Sequence, residues 1–294
     1  MKPSPLVSVI VPVRNGAAHV GECLASLCGQ TWPAEALEVI VVDDGSVDAT
    51  RERVRTYPVT LLAEHGAGSP YAARNAGIAR ARGEILAFTD SDCVPVKEWV
   101  AEGVATLEAE AADLAGGQVR FRCSDPPRAA ELVDVVRNLD HERCISERGV
   151  AKTGNLFVRR RVFEALGPFD PKHRSGEDVG FTTRAGGAGY TLVYAPGALV
   201  EKPARRGLAL WRKQWRVGRG QFALWRSQGV PDQEIARRTF RGLRPERPSS
   251  LRAGLRRRGP AGAEDRLLRV FGAAWLLGLA EGLGRVRAWL GDGR

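Results

Sequence analysis

Three short runs of β-branched and aliphatic residues, at 6–13, 37–42 and 84–89, constrain this chain more than anything else in it. Each is nearly uninterrupted, and each stops at a polar turn: Arg14-Asn15-Gly16, Asp43-Asp44-Gly45-Ser46 and Asp90-Ser91-Asp92. Strands apolar on both faces belong in a sheet covered on both faces, which is the habit of parallel strands. The intervening segments read as the covering helices. Val20, Cys23, Leu24 and Leu27 recur at helical spacing, Asp48-Ala49-Thr50 opens a second helix with Val54 inward, and a third runs from Tyr71 to Ala81. A shorter strand is expected at 59–62. In an α/β sheet of this kind ligands bind beyond the carboxyl ends of the strands. The three polar turns should therefore line one crevice.

The carboxylates in that crevice suggest chemistry. Asp90-Ser91-Asp92 is a D-x-D just past a strand, where both side chains can reach a ribose hydroxyl or a hard divalent cation bridging phosphates. Alone it reads more readily as an acidic turn cap, and Asp43-Asp44-Gly45-Ser46 is similarly ambiguous in isolation. In order, the motifs say more. Val7-Ser-Val-Ile-Val-Pro-Val-Arg14-Asn15, Val41-Val42-Asp43-Asp44-Gly45-Ser46, Ala73-Arg74-Asn75-Ala76-Gly77 and Phe88-Thr89-Asp90-Ser91-Asp92 are followed by Thr153-Gly154-Asn155, Gly167-Pro168-Phe169-Asp170 and Ser175-Gly176-Glu177-Asp178. This succession, over about residues 6–200, resembles the family 2 glycosyltransferases.

The resemblance implies a GT-A fold: a Rossmann-like, mixed and mostly parallel α/β sheet flanked by helices, with a nucleotide-sugar half (1–118) and an acceptor half (119–203). It implies inverting transfer from a nucleotide-diphospho-sugar to a hydroxyl acceptor (a glycan, a lipid-linked molecule or a small molecule), and Gln214-Trp215-Arg216 in place of the Q-x-x-R-W of polymer-extending members points to single addition. Carried over by position, Pro12, Arg14 and Asn15 shape the nucleotide pocket, together with Asp43, Gly45 and Ser46. Asp44 bonds the base, and Arg74 and Asn75 lie against the nucleotide and diphosphate. Asp90 faces the ribose, beside Ser91, and Asp92 ligates Mg²⁺ or Mn²⁺, with Asp90 as a further candidate ligand. Asp178 is the general base, Glu177 orients a substrate, and Thr153, Gly154 and Asn155 belong to the acceptor side. These residue types suit the reaction, because a cation and basic groups can neutralise a diphosphate leaving group while one carboxylate takes the acceptor proton.

Two departures bear on that expectation. Many relatives carry a metal-binding histidine where this chain has Lys202, and a protonated lysine cannot ligate. That leaves Lys202 to touch the diphosphate directly, or Glu201 to serve as ligand. Gly180 also stands where an acidic residue is frequent.

Five cysteines without a C-x-x-C pair and four histidines without H-x-x-x-H spacing exclude a zinc ribbon, a thioredoxin-type site and a zincin, and suit a reduced cytoplasmic chain. Pro12 and Arg14 cut the first apolar run to strand size, against a signal peptide. Gly66-Ala67-Gly68-Ser69-Pro70-Tyr71 breaks the dinucleotide fingerprint at its last position. Charge is uneven: residues 1–200 carry 22 basic and 26 acidic side chains, whereas 201–294 carry 22 and 8. The last third, 204–294, reads as a basic helical region that touches something anionic. Within it, 241–262 looks like a mobile connector. A helix is expected over 267–290; its best apolar stretch, 270–280, is short for a bilayer span, so it is expected to lie at the inner-membrane surface or, in the alternative reading, to pack as a dimerisation or core helix. No nucleic acid partner is expected. The rival readings are a sugar-nucleotide pyrophosphorylase-like nucleotidyltransferase and a non-enzymatic nucleic-acid or anion binder acting through 201–294.

Overall fold

The computed structural model describes residues 3–64 and 68–291; His65, Gly66 and Ala67 lie outside them. In chain order its strands are β1 (Val7–Val13), β2 (Leu37–Asp43), β3 (Thr60–Ala63), β4 (Ile85–Thr89), β5 (Val94–Pro95), β6 (Leu114–Arg122), β7 (Asn155–Arg159) and β8 (Leu192–Pro203). Its helices are α1 (Val20–Cys28), α2 (Thr50–Val54), α3 (Pro70–Arg80), α4 (Trp99–Ala109), α5 (Ala129–Arg137), α6 (His141–Arg148), α7 (Arg160–Leu166), α8 (Glu177–Gly187), α9 (Gly207–Ser227), α10 (Asp232–Gly242), α11 (Pro248–Arg258) and α12 (Leu267–Gly291).

The chain divides into two compact units, the first comprising 1–120, 139–172 and 177–202. Its sheet has the order β3-β2-β1-β4-β7-β6-β8-β5. β3, β2, β1 and β4 run parallel, in keeping with the two-sided apolarity of β1, β2 and β4. From β4 outward the sheet reverses: β4 with β7, β7 with β6 and β5 with β8 are antiparallel. Val13 lies opposite Asp43 in the register of β1 and β2, so the turns that follow these strands stand side by side. Strand β6 was not legible beforehand because Gly116 and Gly117 dilute its pattern. The structure requires them: a Cβ on Gly117 would sit 2.3 Å from the Ala198 carbonyl.

Burial organises the rest. Phe88, Phe163, Phe169 and Phe181 pack as one aromatic cluster with Tyr71 at its border, Phe163 and Phe181 stacked at 4.4 Å. Helix α3 lies unusually close to the sheet, since a Cβ at Gly77 would come within 2.5 Å of Ile10 Cγ2. Ser69 caps α3 by accepting from the Tyr71 amide, and Pro70 occupies its first turn.

The second unit comprises 121–138, 173–176 and 203–294, so 121–138 folds apart from the acceptor half to which the sequence assigned it. Leu132, Val133, Leu210, Leu251, Leu255, Val270, Ala274 and Leu277 form its core. The supposed connector at 241–262 contains α11, a helix because Leu251 and Leu255 are buried one turn apart and Gly254 packs on Val136. Helices α9 and α12 cross closely, with Gly218 against the Glu281 carbonyl and Gly284 against the Trp215 carbonyl. With its preceding turn, α12 is long and apolar enough to cross a membrane by length and composition, more than the stretch 270–280 suggested. One side of it is committed to α9; Leu268, Trp275, Leu276, Leu283, Trp289 and Leu290 are exposed.

Candidate active site

The turns after β1 and β2 brace each other. Asn15, at φ 51°, donates its amide to Ser46 Oγ at 2.8 Å, and its Oδ1 accepts the Val47 amide at 2.9 Å. Asn15 tolerates this left-handed backbone because its short amide bonds locally. Asp43 is fully buried and spent on the turn, accepting from the Ser46 amide and, at 2.5 Å, from Arg51 Nε. Gly45, at φ 72°, completes the reversal. Pro12 sits opposite Val42 in the strand register. These contacts fix the two turns against each other.

Asp44 is different. It is 7% exposed, its Oδ2 lies 3.7 Å from Arg14 Nη1, and its buried Oδ1 has no hydrogen-bond partner. A buried acceptor left unsatisfied costs about 1–3 kcal/mol, which a ligand N–H would relieve.

The D-x-D follows β4. A Cβ on Gly16 would meet Val13 and come within 3.6 Å of Ser91 Oγ, so the loops after β1 and β4 also adjoin. Asp90 Oδ1 accepts from Arg74 Nη2 and Asp90 Oδ2 from Lys202 Nζ, each at 3.0 Å. Lys202 also pairs closely with Asp92 Oδ1 and stands 3.6 Å from Cys93 Sγ. Arg74 is buried beneath the Tyr71 ring at 5.6 Å, donates to the Pro70 carbonyl, and leaves Nε without a partner.

One ligand atom each from Asp90, Asp92 and Cys93 lies within 4.8 Å of the others, a set of the kind that can hold a metal ion. Two hard carboxylates suit a divalent cation; the thiol, pushed up to about 11 by burial, suits it less. With Lys202 where it lies, however, such an ion does not fit. An ammonium and a divalent cation about 4 Å apart repel by about 8 kcal/mol at an effective dielectric near 20. Glu201 offers no substitute ligand. Neighbouring strand residues point to opposite faces, and Glu201 pairs with Arg120 at 3.5 Å while Lys202 is wholly buried.

Asp178 stands at the head of α8. Its Oδ1 accepts from the Tyr71 hydroxyl at 3.1 Å and the Val179 amide at 3.0 Å, and its Oδ2 from the Thr153 amide at 3.3 Å. Burial first, then the charge of Asp178, push the Tyr71 phenol far above its usual range, so it remains a donor. Gly154, the next residue after Thr153, borders the D-x-D: a Cβ there would lie 3.4 Å from Asp90 Oδ2. Asp178 and Asp90 are thus joined twice, through the 153–154 turn and through α3, where Tyr71 holds one and Arg74 the other.

Three expected site residues have other employment. The Asn75 amide clasps the backbone of Phe169, donating to its carbonyl at 2.7 Å and accepting its N–H at 3.1 Å. Glu177 is 1% exposed and braces the preceding loop, accepting from the Asp170 amide and Arg184 Nη2. Asn155 is fully buried; it accepts from Trp99 Nε1 and donates to the carbonyls of Gln118 and Ala198, tying β7 to β6 and β8. The side chains of these motifs spend their polar atoms on hydrogen bonds within the protein. Thr153 contributes its backbone. Sequence reasoning did not find Tyr71, whose position reads only as an apolar face of α3; the signal was its spacing, one turn before Arg74.

Residues 8–167 match the family model "Glycosyl transferase family 2". The chain is 40% identical over 294 residues to the glycosyltransferase AglE of Haloferax volcanii, covering 96% of this chain and 95% of that one. A mannosyltransferase of Pyrobaculum calidifontis, PcManGT, solved with GDP-Man and Mn²⁺, has a similar fold (TM-score 0.69, 20% identity, 98% of this chain and 88% of that one). So does S. aureus TarS 1–349, solved with UDP-GlcNAc (TM-score 0.54, 20% identity, 97% and 92%).

Proposed function

The chain belongs to glycosyl transferase family 2 and is a glycosyltransferase that uses a nucleotide-sugar donor, and from that premise we propose a single direct displacement with Asp178 as general base. The acceptor hydroxyl oxygen bonds to the anomeric carbon as the bond to the diphosphate breaks. The proton goes to Asp178, and the leaving oxygen keeps the electron pair. Attack from the face opposite the leaving group inverts the anomeric centre. The observation that supports this most is the double connection of Asp178 to Asp90 through Thr153-Gly154 and through Tyr71 and Arg74. It sets one half-buried carboxylate apart from the acidic cluster, as a base and a diphosphate pocket require.

In this reading Asp44 Oδ1 accepts an N–H of the base, Arg14 flanks it, and the free Nε of Arg74 serves the ribose or diphosphate. The walls are Pro12, Asn15, Asp43, Gly45, Ser46 and Ser91. The divalent cation expected at Asp90 and Asp92 would require Lys202 to leave them, so no step is assigned to it. The nucleotidyltransferase and anion-binder alternatives draw no support from these relatives. Thermal stabilisation of the whole chain by UDP-, GDP- and dTDP-sugars, followed by assignment of the product anomer by NMR, tests the proposal. Stabilisation with retention of configuration would refute it.

We also infer an acceptor presented at the cytoplasmic face of a membrane. The last third is strongly basic, and the free side of α12 carries Trp275, Trp289 and four exposed leucines. Cations near anionic lipid contribute about 1 kcal/mol each, and interfacial tryptophans add apolar area. The five cysteines are free, in keeping with a reducing compartment. Co-flotation with anionic but not neutral vesicles is the expected result, and recovery in the unbound fraction with both would refute it.

A further inference from the structure

We propose, resting on the transferase reading above, that Lys202 is this enzyme's resident cation and that donor binding and transfer need no divalent metal. Strand β8 delivers the residue: β5 follows the D-x-D directly and pairs with β8, Val94 opposite Glu201, which brings Lys202 beside Asp92 and Cys93. Lys202 is wholly buried although it carries a charge, so its position needs compensation. It finds that in Asp90 and Asp92, the two carboxylates that would otherwise take a cation. Arg74 holds the remaining oxygen of Asp90. Two carboxylates against one ammonium and one guanidinium form a neutral cluster, with no charge deficit for a divalent ion to fill. A diphosphate entering this cluster meets cations already in place, preorganised where the leaving group gathers negative charge. As the sugar–phosphate bond breaks, the electron pair stays on the diphosphate oxygen and the Lys202 ammonium pairs with it. No proton need move at that end, and the acceptor proton still goes to Asp178.

The test uses the full chain with UDP, GDP and dTDP as probes. Binding is measured by calorimetry in EDTA and then with Mn²⁺, and Mn²⁺ uptake is read separately from the free-ion EPR signal. The proposal expects one of these diphosphates to bind in EDTA with a Kd changed less than about twofold by Mn²⁺, and the EPR signal of free Mn²⁺ to persist. Lys202→Met should weaken diphosphate binding at least about tenfold, and Lys202→Arg should keep most of it. Lys202→His should create Mn²⁺ uptake and make diphosphate binding depend on it. If Lys202→Met does not fold, the wild-type and Lys202→Arg measurements still decide. Wild-type binding that requires Mn²⁺, or Mn²⁺ uptake by the wild type, overturns the proposal and leaves the transferase reading intact. Absence of diphosphate binding under every condition overturns both.

Discussion

The hydroxyl of Tyr71 donates to Oδ1 of Asp178 across 3.1 Å, joining residues 107 positions apart in the chain. A buried phenol kept protonated beside a carboxylate fixes the direction in which that carboxylate can face. Asp178 is thereby held in one orientation at the head of α8.

Replacing Asp178 by Asn should lower kcat by about 10²–10⁴-fold, the usual contribution of a general base, while donor Kd stays within about twofold. Tyr71→Phe keeps the ring contact with Phe169 and loses only the hydrogen bond. About 1 kcal/mol corresponds to roughly a fivefold fall in kcat. Steady-state kinetics beside calorimetric donor affinity separate the two effects, and a Tyr71→Phe enzyme as inactive as Asp178→Asn would contradict this assignment.

Asp44→Ala should weaken nucleoside diphosphate binding about 10- to 100-fold, equivalent to about 1.5–3 kcal/mol for a hydrogen bond to a charged group. Because Oδ1 is an unpartnered buried acceptor, the unliganded variant should melt at the same temperature or higher. A lowered melting point with unchanged affinity would make Asp44 a structural residue.

Asn155→Leu should destabilise the protein by about 2–4 kcal/mol, because it strands the Trp99 N–H and two carbonyls in the core. Urea unfolding measures this. Intact stability combined with a raised acceptor KM would return Asn155 to the acceptor site.

Gly77→Ala should cost about 1–3 kcal/mol by overpacking against Ile10. Since α3 carries both Tyr71 and Arg74, donor affinity and kcat should fall together, which kinetics on the folded fraction can establish.

Cys28 is exposed, whereas Cys23 and Cys93 are buried. Burial raises the thiols of both, Cys93 to about 11, leaving about one part in a thousand as thiolate at pH 8. Mass-spectrometric mapping of alkylation should find Cys28 modified in the native protein and the other two only after unfolding. Labelling of Cys93 in the folded chain would show that the Lys202 cluster opens.

The parallel half of the sheet was legible because β1, β2 and β4 each declare themselves through uninterrupted apolar residues, and their ends then locate the crevice. Strand β6 and helix α11 were not, since glycines thin one pattern and arginines mask the other. Both are settled by what they pack against. The same division runs through the site. The ordered motifs shared with the family nominated Asp44, Asp90, Asp92 and Asp178, since an acid after a strand by itself also reads as a turn cap. Which motif members turn inward was beyond any linear reading: Asn75 and Asn155 spend their polar atoms on backbone and on Trp99 brought near by folding, and Glu177 on Asp170 and Arg184, whereas Lys202 reaches the D-x-D only because β8 pairs with β5. Local pattern is written in neighbours along the chain, but the saturation of a group such as Asn75 or Lys202 depends on partners about a hundred residues away, and only the packed fold supplies those.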